Sequence, residues 1–72
     1  MIEVFKTNVN RKREAKQLLT KLAEPMPGCH FNFDLEDSDK ILRVEARSGS
    51  VDVASVIELM NEHQYTCQLL ED

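Results

Sequence analysis

Apolar and polar positions along the chain switch between two periods in a regular order. The opening stretch IEVFKTNV, residues 2–9, carries β-branched and aromatic residues with no breaker and predicts a strand. From Arg11 to Glu24 the apolar residues Ala15, Leu18, Leu19 and Leu22 recur at helical spacing, one face of a helix. Asn8 or Asn10 is the expected cap, and the segment PMPG ends the helix because proline cannot continue its hydrogen-bond ladder. In CHFNFDLED the residues Phe31, Phe33 and Leu35 alternate with His30, Asn32 and Asp34, and in KILRVEAR Leu42, Val44 and Ala46 alternate with Ile41, Arg43 and Glu45. Both segments predict strands with one buried face, and the short turn at Glu36–Asp39 makes them an antiparallel hairpin. Val53, Val56, Ile57 and Met60 form a second helical stripe after a Ser48–Ser50 loop. There Ser50 is the expected cap, and Asp52 in the first turn suits the helix dipole. YTCQLL, residues 65–70, predicts a last strand.

The order is β-α-β-β-α-β, and right-handed crossovers place both helices on one sheet face. The expected fold is therefore an α+β, ferredoxin-like sandwich. It has one four-stranded antiparallel sheet in the order 4-1-3-2, with Phe5, Thr7 and Val9 of the first strand turned inward. A length of 72 residues fits a single domain, residues 1–72, with a modest core. At 42% hydrophobic and 31% charged residues the composition is that of a soluble globular domain. The net charge of −4 gives no support to nucleic acid or an anionic membrane as partner. No apolar run approaches the roughly 18 residues of a membrane span, and the opening residues do not read as a signal peptide. Two cysteines, Cys29 and Cys67, are too few for a disulfide framework, so a cytoplasmic protein with reduced thiols is expected.

Length, element order and the segment TNVNRKREA, which ends the first strand and opens the first helix, resemble the heavy-metal-associated domain. That family comprises copper chaperones and the small N-terminal domains of metal-pumping ATPases. Its first strand ends in a Thr/Met-x-Cys-x-x-Cys loop, and a Gly-Tyr pair follows its last helix. Here Tyr65 matches the aromatic, Gln64 stands at the glycine, and Arg11 and Glu14 stand at the two cysteines. The resemblance implies the ferredoxin-like fold and a working surface at the loop end. It does not imply copper chemistry. Soft monovalent copper is held by thiolates, a guanidinium cannot ligate a metal, and one carboxylate is a poor soft-metal ligand.

Other chemistries are narrowed in the same way. Cys29, His30, His63 and Cys67 are zinc-type residues, but the expected topology sets the strands bearing the two cysteines at opposite edges of the sheet. A site built from them would need two chains. Three cations, Arg11, Lys12 and Arg13, oppose the helix dipole. They are expected to balance the acidic hairpin Asp34, Glu36, Asp37 and Asp39, to capture an anion or small ligand, or to dock an acidic partner. The outer sheet face is expected to carry Ile2, Val4 and Ile41 side by side, a surface for self-association. It lacks the aromatic platform of single-strand RNA binders. No nucleophile–base arrangement or glycine-rich phosphate loop is present, so no enzymatic activity and no cofactor are expected. The function expected is a binding or interaction domain, with a protein partner or a homodimer. Its candidate surface is Asn10, Arg11, Lys12, Arg13, Glu14, His63 and Tyr65.

Overall fold

A computed structural model describes residues 1–71; Asp72, the last residue of the expected domain, lies outside the described residues. Its elements are β1 (Ile2–Thr7), α1 (Lys12–Ala23), β2 (Cys29–Asp34), β3 (Ile41–Ala46), α2 (Val53–Glu62) and β4 (Cys67–Leu69). The strands form one antiparallel sheet in the order β2-β3-β1-β4, the expected ferredoxin-like arrangement. Among the described residues no helix is long and apolar enough to cross a membrane.

The core lies between the sheet and the two helices. Phe5, Phe31, Leu42 and Val44 meet Leu18 and Leu22 of α1 and Val56 and Met60 of α2. Each large side chain fully removed from water there contributes on the order of 1.5–3 kcal/mol. Phe5, Thr7 and Val9 are all buried, so β1 turns inward the face expected of it.

The helix starts differ from expectation. Neither Asn8 nor Asn10 caps α1. Arg11 is its N-cap, in extended conformation, with no side-chain cap hydrogen bond. Asp52, not Ser50, caps α2, accepting from the Ser55 amide at 3.2 Å and the Ser55 hydroxyl at 2.7 Å. Those two bonds hold the Asp52 carboxyl below its ordinary range.

The open sheet face also departs from expectation. Ile41 is buried rather than exposed. In register it sits between Lys6 and Asp34, while Val4 faces Arg43 and Ile2 faces Glu45. Each of these three aliphatics therefore has a charged residue directly opposite it in the β1–β3 pairing.

Candidate functional site

The end of β1 and the loop that launches α1 are fixed by one buried hydroxyl. Thr7 Oγ1 donates to the Lys40 carbonyl at 2.6 Å and accepts from the Val9 amide at 3.2 Å. A second tie comes from Asn8, whose Oδ1 accepts from the Thr66 amide at 2.9 Å. Asn8 thus holds the first loop against the approach to β4 instead of capping a helix. Beyond these ties the backbone turns, and Asn10, Arg11, Lys12 and Arg13 stand exposed.

The helical phase then separates these residues. Glu14 turns toward the α2–β4 connection, where it lines a shallow recess of about 190 Å³ with Gln17, Leu18, Lys21, His63 and Tyr65. His63 is the C-cap of α2, and Gln64 follows in the left-handed region at φ 69°, which reverses the chain and presents Tyr65. Partial burial pushes the Tyr65 phenol above its ordinary value. The Glu14 carboxylate within hydrogen-bonding reach adds to that shift, and the nearby Arg11 guanidinium opposes it. Arg11, Glu14, His63 and Tyr65 therefore gather at one end of the fold.

Lys12 goes elsewhere. It lines a groove of about 430 Å³ between α1 and β2, floored by Leu19, Phe33 and Leu35 and closed on the strand side by Asp34 and Glu36. This groove was not foreseen. Its sequence signal was present in Leu19, Phe33 and Leu35, the members of their apolar stripes that the core leaves half-buried.

The expected charge balance is formed by proximity at one point only: Lys12 shares a groove with Asp34 and Glu36, and no ion pair joins the α1 cations to the hairpin among the described residues. Among the described residues the one ion pair joins Lys6 to Asp39 at 3.7 Å, so the acidic turn is ion-paired from β1 and not by the cations of α1. The turn also satisfies itself, with the Asp34 and Asp37 carboxylates accepting from the Glu36 and Asp39 amides. Among the described residues Arg11, Lys12 and Arg13 form no ion pair and leave exposed positive charge at a helix start that disfavours it.

The zinc-type residues stay apart. Cys29 lies on β2 and Cys67 on β4, at opposite sheet edges. Burial pushes the Cys67 thiol up to about 11, which keeps it protonated and a poor ligand at neutral pH. Among the described residues no three His, Cys, Asp or Glu side chains gather into a metal-binding group. No protein-family model, curated protein or solved structure matches the chain.

Proposed function

We propose that the protein is a non-enzymatic interaction domain, a divergent relative of the heavy-metal-associated fold. In place of a thiolate metal loop it presents positive charge to an acidic protein partner. The observation that carries this reading is the exposure of Arg11, Lys12 and Arg13 with no ion-pair partner among the described residues. A cluster that works against the helix dipole and is not neutralised internally costs the fold stability. A local rule broken in this way points to a use outside the fold. Rim charges of this kind steer a partner of opposite sign and raise the association rate. The rigid Thr7 and Asn8 ties hold the cluster in place, and Tyr65 and His63 supply adjacent half-exposed surface.

The resemblance to the metal-binding family is supported by Gln64. It occupies the left-handed conformation that glycine adopts without strain, at the position where the family carries glycine. The reading places the protein in the cytoplasm, with both thiols reduced.

The test compares two baits, the wild-type protein and the Arg11→Glu/Lys12→Glu/Arg13→Glu variant, against an extract of the source cells, with quantitative mass spectrometry of the retained proteins. The wild type is expected to retain at least one acidic protein that moderate salt releases and that the variant fails to hold. Equal retention of every bound protein by both baits would show that this surface is not the docking site.

A further inference from the structure

The two edges of the sheet are not equivalent. β4 has three residues, short enough to offer little to another strand. β2 has six, Cys29–Asp34, in an uninterrupted one-to-one register with β3. It carries no proline, lysine or bulge, and its one carboxylate, Asp34, stands at its end.

The hydrogen-bond pattern tells which backbone groups of β2 are free. Arg47 donates its amide to the Gly28 carbonyl at 3.0 Å, and Ala46 donates its amide to the Met1 carbonyl at 2.8 Å. Residues 41, 43 and 45 of β3 therefore bond toward β2, and their register partners His30, Asn32 and Asp34 bond back. Phe31 and Phe33 consequently point their N–H and C=O groups away from the sheet. The Cys29 amide is already taken by the Met26 carbonyl at 3.1 Å.

We propose that a second copy of this chain pairs with this edge, β2 against β2 in antiparallel sense about a two-fold axis, joining the two sheets into one. Two-fold pairing demands that facing residues share a sheet face, which leaves few registers. One of them sets Asn32 opposite Asn32 of the second copy. In it Phe31 exchanges N–H···O=C bonds with Phe33 of the second copy, using only the groups left free. On the outer face His30 then lies opposite Asp34 of the second copy, and the symmetry repeats the pair, so each imidazole meets a carboxylate. On the helix face the half-buried Phe33 is covered by Phe31 of the second copy. The register one step away on the same face sets Phe31 opposite itself and Asp34 opposite Gly28, leaving the carboxylate without a partner. A step the other way relies on Glu36, which has already left the strand for the turn. Charge complementarity thus selects the register centred on Asn32. Of the three loop cations only Lys12 borders this edge, across the α1–β2 groove, and the variants below change β2 alone, so the proposal is tested apart from that reading.

The first measurement is sedimentation of the reduced protein as a function of concentration, with the single variant His30→Asp and the double variant His30→Asp/Asp34→Lys. Both substituted side chains, His30 and Asp34, are exposed, so folding is not at risk. The wild type is expected to dimerise in the micromolar range. His30→Asp places like charges opposite each other twice and is expected to weaken the dimer about tenfold; the double variant restores opposite charges and the affinity. The second measurement is disulfide capture. Asn32 faces its copy in a non-hydrogen-bonded pair, where Cα atoms lie about 4.5 Å apart, within disulfide reach. In a Cys29→Ser/Cys67→Ala background, Asn32→Cys is expected to crosslink under mild oxidation far faster than Asn61→Cys on the exposed face of α2. A protein that stays monomeric at high concentration would overturn the proposal. So would a dimer indifferent to His30→Asp, or equal crosslinking at residues 32 and 61.

Discussion

Replacing Thr7 by valine keeps the shape of the side chain and removes one hydroxyl. That hydroxyl is the partner of the Val9 amide, at 3.2 Å in a fully buried residue, and it donates to the Lys40 carbonyl at 2.6 Å. The carbonyl keeps a partner in the Thr7 amide at 3.2 Å, so its loss is small. The Val9 amide keeps none, and an orphaned buried N–H costs about 1–3 kcal/mol. The expected loss is thus about 2–3 kcal/mol. The whole stability of a domain of 72 residues is only on the order of 4–11 kcal/mol. Near the melting midpoint this corresponds to a fall of about 10–20 °C. Thr7→Ser retains both hydrogen bonds and loses one buried methyl, about 1 kcal/mol. Far-UV circular dichroism over thermal and urea unfolding reads both variants. The account predicts wild type above Thr7→Ser above Thr7→Val. Valine equal to or better than serine would show that the hydroxyl does not organise the end of β1, and the explanation of how the Arg11 loop is held would fail with it.

Three further outcomes follow from the same structure. The Arg11→Glu/Lys12→Glu/Arg13→Glu variant is expected to melt several degrees higher than wild type, because anions suit a helix start, so any loss of partner binding cannot be laid to unfolding; a lower midpoint contradicts this. Gln64→Gly is expected to stabilise by about 0.5–1 kcal/mol in urea unfolding, since glycine takes a φ of 69° without strain; no gain would mean that Gln64 is not strained there. The Cys67 thiol, raised to about 11 from an ordinary value near 9, keeps its proton in the folded chain where the unfolded chain has released it. The stability tied to it is complete below pH 9 and is lost as pH rises toward 11, so the urea midpoint of wild type is expected to fall more steeply over that window than that of Cys67→Ala.

The architecture was legible because each element states its period clearly. Alternation at Phe31/Phe33 and Leu42/Val44 and helical spacing at Leu18/Leu22 and Val56/Met60 left little room for another assignment. Boundaries were less legible. Tyr65 and Thr66 extend the strand pattern, yet β4 begins only at Cys67, because the reversal at Gln64 and the Asn8 tie at Thr66 direct that backbone toward the first loop. Long-range ties of this kind leave no local trace, which is also why Asn8 reads as a cap from sequence alone. Side-chain placement around the loop was half legible. Glu14, His63 and Tyr65 do converge, but Lys12 swings to the α1–β2 groove, since neighbours on a helix lie on different faces. The pairing of acidic and basic clusters failed for a physical reason. The acidic turn caps its own amides and meets Lys6, and exposed pairs give too little energy to draw long side chains across the end of the fold.

The proposal that the Arg11 loop works through charge excludes thiolate metal chemistry. Its most direct test is titration of the fully reduced protein with copper(I) and with zinc against a competing chelator, read by native mass spectrometry. The account predicts no metal retained under micromolar competition, by monomer or by dimer. Stoichiometric copper or zinc that survives the competition and disappears in Cys29→Ser or Cys67→Ala would contradict it.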